Sequence, residues 1–408
     1  MRLLFVHEVN WAEKVRYEIH ELPELLSLRG HHVEFIDFPE QRDKTRRFKR
    51  LDLKTVERTY YSWTYRGSKV RITSPCRIVP APIDRLIATF TFVPTLFSKL
   101  RKDEYDAIIL YSVPTNGWQT IIVARLMGVP VVFRALDVSH LIRKTRLKRL
   151  VLAAERFVYR RANWLSANNS ELLAYCLKNG AHPSTSSVDY PGLDVAHFQR
   201  ESPSSTLRRR LNISEKDKVL IFLGTLFTFC GLDRVLLDLC QEHAKDLNVR
   251  LLILGDGEML NELKKFVNSN QLESKVSLMG RVDFAQLGDY LSLGDVAMMT
   301  FKAETVAELA LPWKVFQYIA AGLPVVASPL RGLMSALPPG VGILYLDPTE
   351  NSVVKMHDLA CNDEKRRELI EQGLSTVKEK FLWELNVVHF EKLFERVAQE
   401  FKVSRTSQ

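Results

Sequence analysis

The chain has 408 residues, 46% of them hydrophobic and 26% charged, which is more than one hydrophobic core usually organises and too apolar for a disordered chain. Lys and Arg number 57 against 48 Asp and Glu, and the resulting formal charge of +9 favours anionic partners. The five cysteines (Cys76, Cys176, Cys230, Cys240 and Cys361) form no CxxC pair, so they support neither a disulfide framework nor a zinc site and fit a reducing cytoplasm.

The first apolar run, 3–6, meets His7 and Glu8 too soon to be a signal peptide. It reads as a strand, and 33–36, 107–110, 129–133 and 164–167 repeat the pattern. Helical stretches lie between, at 118–126 and 147–161, with Gly128 as a helix end and Pro130 forcing extended chain beyond it. The apolar stretch 83–100 carries Asp84, Arg85, Pro94 and Lys99, which speaks against a membrane span; within it 87–100 reads as a core helix or, with the run 42–50, as a face docked on anionic lipid. Two basic runs stand out. Arg42, Lys44, Arg46, Arg47, Lys49 and Arg50 surround Phe48, and Arg143, Lys144, Arg146, Lys148 and Arg149 follow later. Each fits a solvated surface or an anionic membrane face.

Composition shifts at 199–206, Gln-Arg-Glu-Ser-Pro-Ser-Ser-Thr, which predicts a boundary between domains at 1–200 and 207–384. The final helix, 385–408, is expected to pack back on the first domain. After the boundary the alternation restarts with strands at 219–223, 249–254, 276–279, 296–299 and 324–327, and helices at 232–240 and 259–267. Strands alternating with helices predict an α/β fold of two doubly wound, parallel-sheet domains facing a cleft. Three strands of the second half end on glycine, at Gly224, Gly255 and Gly280, where open sheets of this kind take ligands. Further on, Pro312 suits the first turn of a helix, whose free amides and positive dipole end favour phosphate. Lys314 adds a full positive charge there, and Gln317 stands one turn on along nearly the same face.

The block 311–328, Leu-Pro-Trp-Lys-Val-Phe-Gln-Tyr-Ile-Ala-Ala-Gly-Leu-Pro-Val-Val-Ala-Ser, resembles that of the family-four retaining glycosyltransferases of GT-B fold. The segments 190–198 (Tyr-Pro-Gly-Leu-Asp-Val-Ala-His-Phe), 276–282 (Val-Ser-Leu-Met-Gly-Arg-Val), 105–109 and 381–384 match in order and spacing, so the likeness covers nearly the whole chain. The resemblance implies two Rossmann-like domains, the second binding a nucleoside diphosphate sugar. It assigns donor contacts to Gly224, Thr225, Gly255, Gly280, Arg281, Val282, Leu311, Lys314 and Gln317, and catalytic roles to Lys314, Asp137 and Glu308. It implies no cofactor, no metal, and a glycan or lipid-linked acceptor bound by the first domain near His7–Glu13, where Trp11 offers a stacking ring or a packing one.

The departures are specific. The family usually has an arginine and a lysine where this chain has Thr225 and Cys230, and a glutamate where it has Gln317. Leu309 stands at the expected position of another acidic residue, with Glu308 one short of it. Hydrogen bonds to charged groups contribute ~1.5–3 kcal/mol each, so another cation must compensate, and Lys314, Arg281 and Lys302 are the candidates. The expected activity is transfer of a hexose-type sugar to a hydroxyl with retention, in the cytoplasm or at the inner face of the membrane. A non-catalytic subunit of a glycosylation complex is the alternative. No nucleic-acid-binding module is present, so no nucleic acid is expected as a partner.

Overall fold

The computed structural model describes residues 1–38, 54–76, 84–142, 145–199, 202–303 and 305–406. The basic run 42–50 lies outside them, as do Arg143 and Lys144 of the second run. Contacts divide the chain into two units, residues 1–192 with 384–408, and residues 193–383.

The first unit is built on eight strands: β1 (Arg2–Val6), β2 (His32–Ile36), β3 (Val56–Tyr61), β4 (Lys69–Ser74), β5 (Ala107–Leu110), β6 (Val131–Ala135), β7 (Trp164–Ala167) and β8 (Ser186–Val188). They lie in the order β3-β4-β2-β1-β5-β6-β7-β8, and every neighbouring pair is parallel except β3 with β4. Leu3, Leu4, Phe5 and Val6 of β1 have no exposed surface, as a strand covered on both faces requires. The expected strand at 129–133 runs two residues later, as β6. Pro130 has no N–H for the ladder, although its carbonyl still accepts from Ile108 N at 2.9 Å. Gly128 takes the left-handed conformation (φ 71°) that ends the helix Gly117–Met127.

The second unit holds β9 (Lys218–Leu223), β10 (Val249–Leu254), β11 (Val276–Gly280), β12 (Val296–Met299), β13 (Val325–Ala327) and β14 (Ile343–Tyr345) in the order β11-β10-β9-β12-β13-β14, all parallel. The chain steps from β9 outward to β11, then returns to pair β12 on the other side of β9. That reversal leaves a crevice beyond the carboxyl ends of β9 and β12, where open α/β sheets receive ligands.

The division of the chain falls after Gly192, ahead of the 199–206 segment where composition shifts. The short helix Val195–Phe198 belongs to the second unit because the His197 ring stacks on Phe284 at 4.1 Å and Phe198 meets the same ring edge-on at 5.9 Å. From residue 384 onward the helix Trp383–Thr406 runs over the first unit. Its Glu391 pairs with Arg29 at 2.6 Å, its Lys402 with Asp106 at 2.9 Å, and its Arg396 guanidinium covers the Trp164 ring at 4.2 Å. The stretch 87–100 lies in the helix Asp84–Lys102, which buries Ala88, Phe92, Leu96 and Leu100. Among the described residues no helix is long and apolar enough to cross a membrane.

Candidate functional site

The three strand-ending glycines of the second unit converge. Gly224 N donates to Leu254 O at 2.9 Å and Gly255 N to Gly280 O at 2.7 Å, so the ends of β9, β10 and β11 are tied by backbone alone. Any Cβ on Gly255 would collide with the Gly224 carbonyl. The loop after β9 also reaches the end of β12: Thr300 Oγ1 donates to Cys230 O at 3.1 Å, and Lys302 N to Phe229 O at 2.8 Å.

Lys314 enters this frame from the helix Lys314–Ala320. Its Nζ stands 4.4 Å from the Phe222 ring centre at the end of β9 and 5.0 Å from that of Phe301 just after β12. Two aromatic faces thus hold an ammonium at the crevice where the strand order reverses. Gly224 makes the room, since a Cβ there would strike the ammonium, and its φ of +137° suits glycine. Burial pushes the ammonium down to about 8, opposed by the nearby Cys230 thiol. It is still mainly protonated at neutral pH. The lysine therefore occupies space beside Cys230, where family members usually carry a cation.

Tyr318, one turn beyond Lys314, fixes this arrangement. Its buried hydroxyl accepts from Leu223 N at 2.6 Å, which locks the helix to the end of β9. Sequence reasoning missed Tyr318, Phe222 and Phe301. The i, i+4 spacing of Lys314 and Tyr318 was the available signal for the first. Nothing local marked the two phenylalanines, which converge only through the sheet.

The helix itself differs from expectation. It has seven residues, and Pro312 and Trp313 precede it, with Val315 N and Phe316 N already donating to their carbonyls at 3.0 and 3.1 Å. Two amides at the helix start are therefore already bonded, and the full positive charge there is the ammonium. Among the other expected donor residues, Gln317 and Val282 are half-buried, Thr225 and Arg281 are exposed, and Leu311 is buried and offers only backbone. The Thr225 carbonyl accepts from Cys230 Sγ at 3.3 Å. Lys302 is held by Asp233 at 2.8 Å, so of the three candidate cations Lys314 is the one built into the glycine frame. Glu308 contacts Arg331, accepting from its N at 3.2 Å and its Nε at 3.3 Å, which ties it to the start of the helix Arg331–Ala336.

In the first unit the carboxyl ends of the strands are closed by side chains. Arg134 is buried in a two-pronged pair with Glu18, both contacts at 2.8 Å, and donates to Ser166 Oγ at 3.1 Å. Tyr111 donates its hydroxyl to the same Glu18 at 2.8 Å. Nearby, the buried Glu8 accepts from Thr115 N at 3.1 Å. Trp11 is not available for stacking on a substrate. It has no exposed surface, donates Nε1 to Ile19 O at 3.1 Å, and packs against His20, Tyr60 and Trp63 at 4.8, 4.8 and 5.4 Å. Asp137, two residues past β6, differs from these neighbours. Its carboxylate has no hydrogen-bond partner among the described residues, so it caps no helix. Its side chain is exposed, yet the protein around it pushes the carboxyl up to about 6, with Lys14 opposing.

Known proteins share this architecture. A model of the glycosyl transferases group 1 family matches residues 203–375, and one of the glycosyl transferase 4-like domain matches residues 15–187. An uncharacterised glycosyltransferase of Methanocaldococcus jannaschii is 24% identical over 59% of this chain and 60% of its own length. The lipopolysaccharide 1,2-N-acetylglucosaminetransferase of Salmonella typhimurium is 24% identical over 48% of this chain and 53% of its own. The chain thus spans little more than half the length of these curated relatives. Among solved structures, HepE of Anabaena in complex with UDP superposes with a TM-score of 0.71 at 17% identity, covering 100% of both chains. With one family model on each unit and a full-length structural match, the chain belongs to the group 1 glycosyltransferases of GT-B fold.

Proposed function

We propose that this chain transfers a sugar from a nucleoside diphosphate sugar to an acceptor hydroxyl, with retention and without a cofactor. One observation carries the reading: the Lys314 ammonium, held between Phe222 and Phe301 in a space that Gly224 leaves open. A cation in such a setting receives the donor diphosphate and stabilises its charge as the glycosidic bond breaks, a contribution on the order of 10²–10³ in rate for one well-placed donor. The half-buried Gln317, one turn along, is assigned to the ribose hydroxyls. Gly280, Arg281 and Val282 line the base, and backbone at Thr225 and Leu311 borders the phosphates. HepE of Anabaena, the structural match, was seen with UDP, which makes UDP sugars the first donors to test. In the first unit, Asp137 is assigned to the sugar or the acceptor hydroxyl. Glu308 is assigned to holding Arg331 and its loop. The Salmonella relative acts on lipopolysaccharide by its name, which supports a glycan or lipid-linked acceptor.

Titration calorimetry with uridine, guanosine and adenosine diphosphates, on the wild type and Lys314→Ala, tests the reading. One diphosphate should bind the wild type, and the variant should lose roughly tenfold or more in affinity while melting at the same temperature. Absence of binding at millimolar ligand would favour the non-catalytic subunit, for which the replacements at Thr225, Cys230 and Gln317 speak.

A further inference from the structure

We propose that Phe227, on the loop after β9, is a stacking platform for the sugar ring of the donor, and so a residue that sets how tightly the sugar itself is held. The inference rests on the donor reading above. Three phenylalanine rings form a continuous strip that starts at the Lys314 niche. Phe301, whose ring centre lies 5.0 Å from the ammonium, meets Phe229 edge-on with centroids 5.1 Å apart. Phe229 in turn stacks on Phe227, 5.1 Å away and tilted by 16°. Along the strip the rings rise into solvent: Phe301 is 9% exposed, Phe229 half-buried and Phe227 43% exposed. A lone exposed phenylalanine is ordinary. One that continues a strip of rings out of a cation niche is placed for a ligand.

The loop that carries the rings is fastened to the sheet on both sides. Leu226 N donates to Asp256 O at 3.0 Å and Thr228 N to Glu258 Oε1 at 3.2 Å, both beyond β10. Toward β12, Phe229 O accepts from Lys302 N at 2.8 Å. Gly231 closes the loop at a φ of +71°, so near the Thr300 carbonyl that a Cβ has no room. Rings held in this way lose little freedom when a ligand arrives. Chemistry then selects the part of the donor they meet. The diphosphate needs charge, and the ammonium supplies it. The base is assigned to Gly280, at the end of β11. In the order β11-β10-β9-β12, the Phe229–Phe301 contact lies on the far side of the niche from there. What remains is the sugar, an uncharged ring with hydroxyls at its rim and C–H bonds on its faces. Those hydrogens carry the slight positive charge that the negative face of an aromatic ring attracts.

The test is titration calorimetry of the full chain with uridine, guanosine and adenosine diphosphates and with their glucose, mannose and N-acetylglucosamine conjugates. Truncating the ring in Phe227→Ala should weaken the conjugate that binds by about threefold to tenfold, while the matching diphosphate binds as it does to the wild type. Phe227→Trp keeps a stacking face and should hold the wild-type affinity for both. The position is exposed, so unchanged melting temperatures are expected for both variants. Lys314→Ala, by contrast, should weaken diphosphate and conjugate alike. An equal loss of both ligands in Phe227→Ala would move the ring from the sugar to the base or phosphates and overturn the proposal. A wild type that binds a diphosphate but no conjugate, or whose conjugate is indifferent to Phe227→Ala, refutes this inference alone. A wild type that binds no diphosphate refutes the donor reading and this inference with it.

Discussion

The carboxyl ends of the two sheets are finished in opposite ways. In the second unit, glycines strip side chains from the ends of β9, β10 and β11, and one lysine fills part of the space that results. In the first, the same edge is crowded with buried charge, Arg134 with Glu18 and Glu8 with Thr115, while Asp137 has no hydrogen-bond partner among the described residues. The contrast separates two uses of charge. A buried pair fixes a loop and is spent in doing so, whereas a cation held only by aromatic rings and glycine keeps its bonding capacity for a ligand. Thus the most completely bonded charges in this protein are the poorest candidates for chemistry.

Breaking the crowded edge should give the largest effect. Glu18→Ala strands the buried Arg134 guanidinium and should cost about 3–5 kcal/mol of stability, read as a lower denaturant midpoint. A variant as stable as wild type would mean that the pair is not structural. At the open edge, Gly224→Ala both strains a left-handed position and displaces the ammonium. Diphosphate affinity should fall on the order of tenfold to a hundredfold in calorimetry, with little change in secondary structure by circular dichroism.

The pH dependence sharpens the comparison further. Lys314, lowered to about 8, loses its charge as pH rises through that value, and Asp137, raised to about 6, loses its charge as pH falls through that one. The profile of kcat/KM should be a plateau between the two, each limb falling about tenfold per pH unit. Asp137→Asn should abolish the acid limb and leave the alkaline one. The smallest effect is expected for Gln317→Glu. Restoring a carboxylate for sugar hydroxyls should tighten donor binding only a few-fold, from about 1 kcal/mol of charge assistance.

Much of the second unit was legible because its signals are local. Three of its strands run into their own glycines, and Lys314 and Gln317 sit on one short helix, so periodicity and turn chemistry were enough to single them out. Where residues from distant segments meet, the pattern was silent. The β3–β4 hairpin is an example: Glu57, Arg58, Thr59 and Tyr61 on its outer strand are exposed, so no apolar alternation announces it. Missing that hairpin also hid the fate of Trp11, because Tyr60 and Trp63 of the same segment are what cover the indole. Arg134 followed the same logic. Its partner Glu18 lies 116 residues away, and only that pairing shows that it faces inward.

The bond from Leu223 N to the Tyr318 hydroxyl has a consequence for what evolution or a designer can place at position 314. Because that phenol anchors its helix to the main chain of β9, the root of residue 314 cannot retreat to make way for a bulkier head. An arginine there would have to drive its flat guanidinium between the Phe222 and Phe301 rings. Charge alone is therefore not the requirement; the niche selects a slender cation.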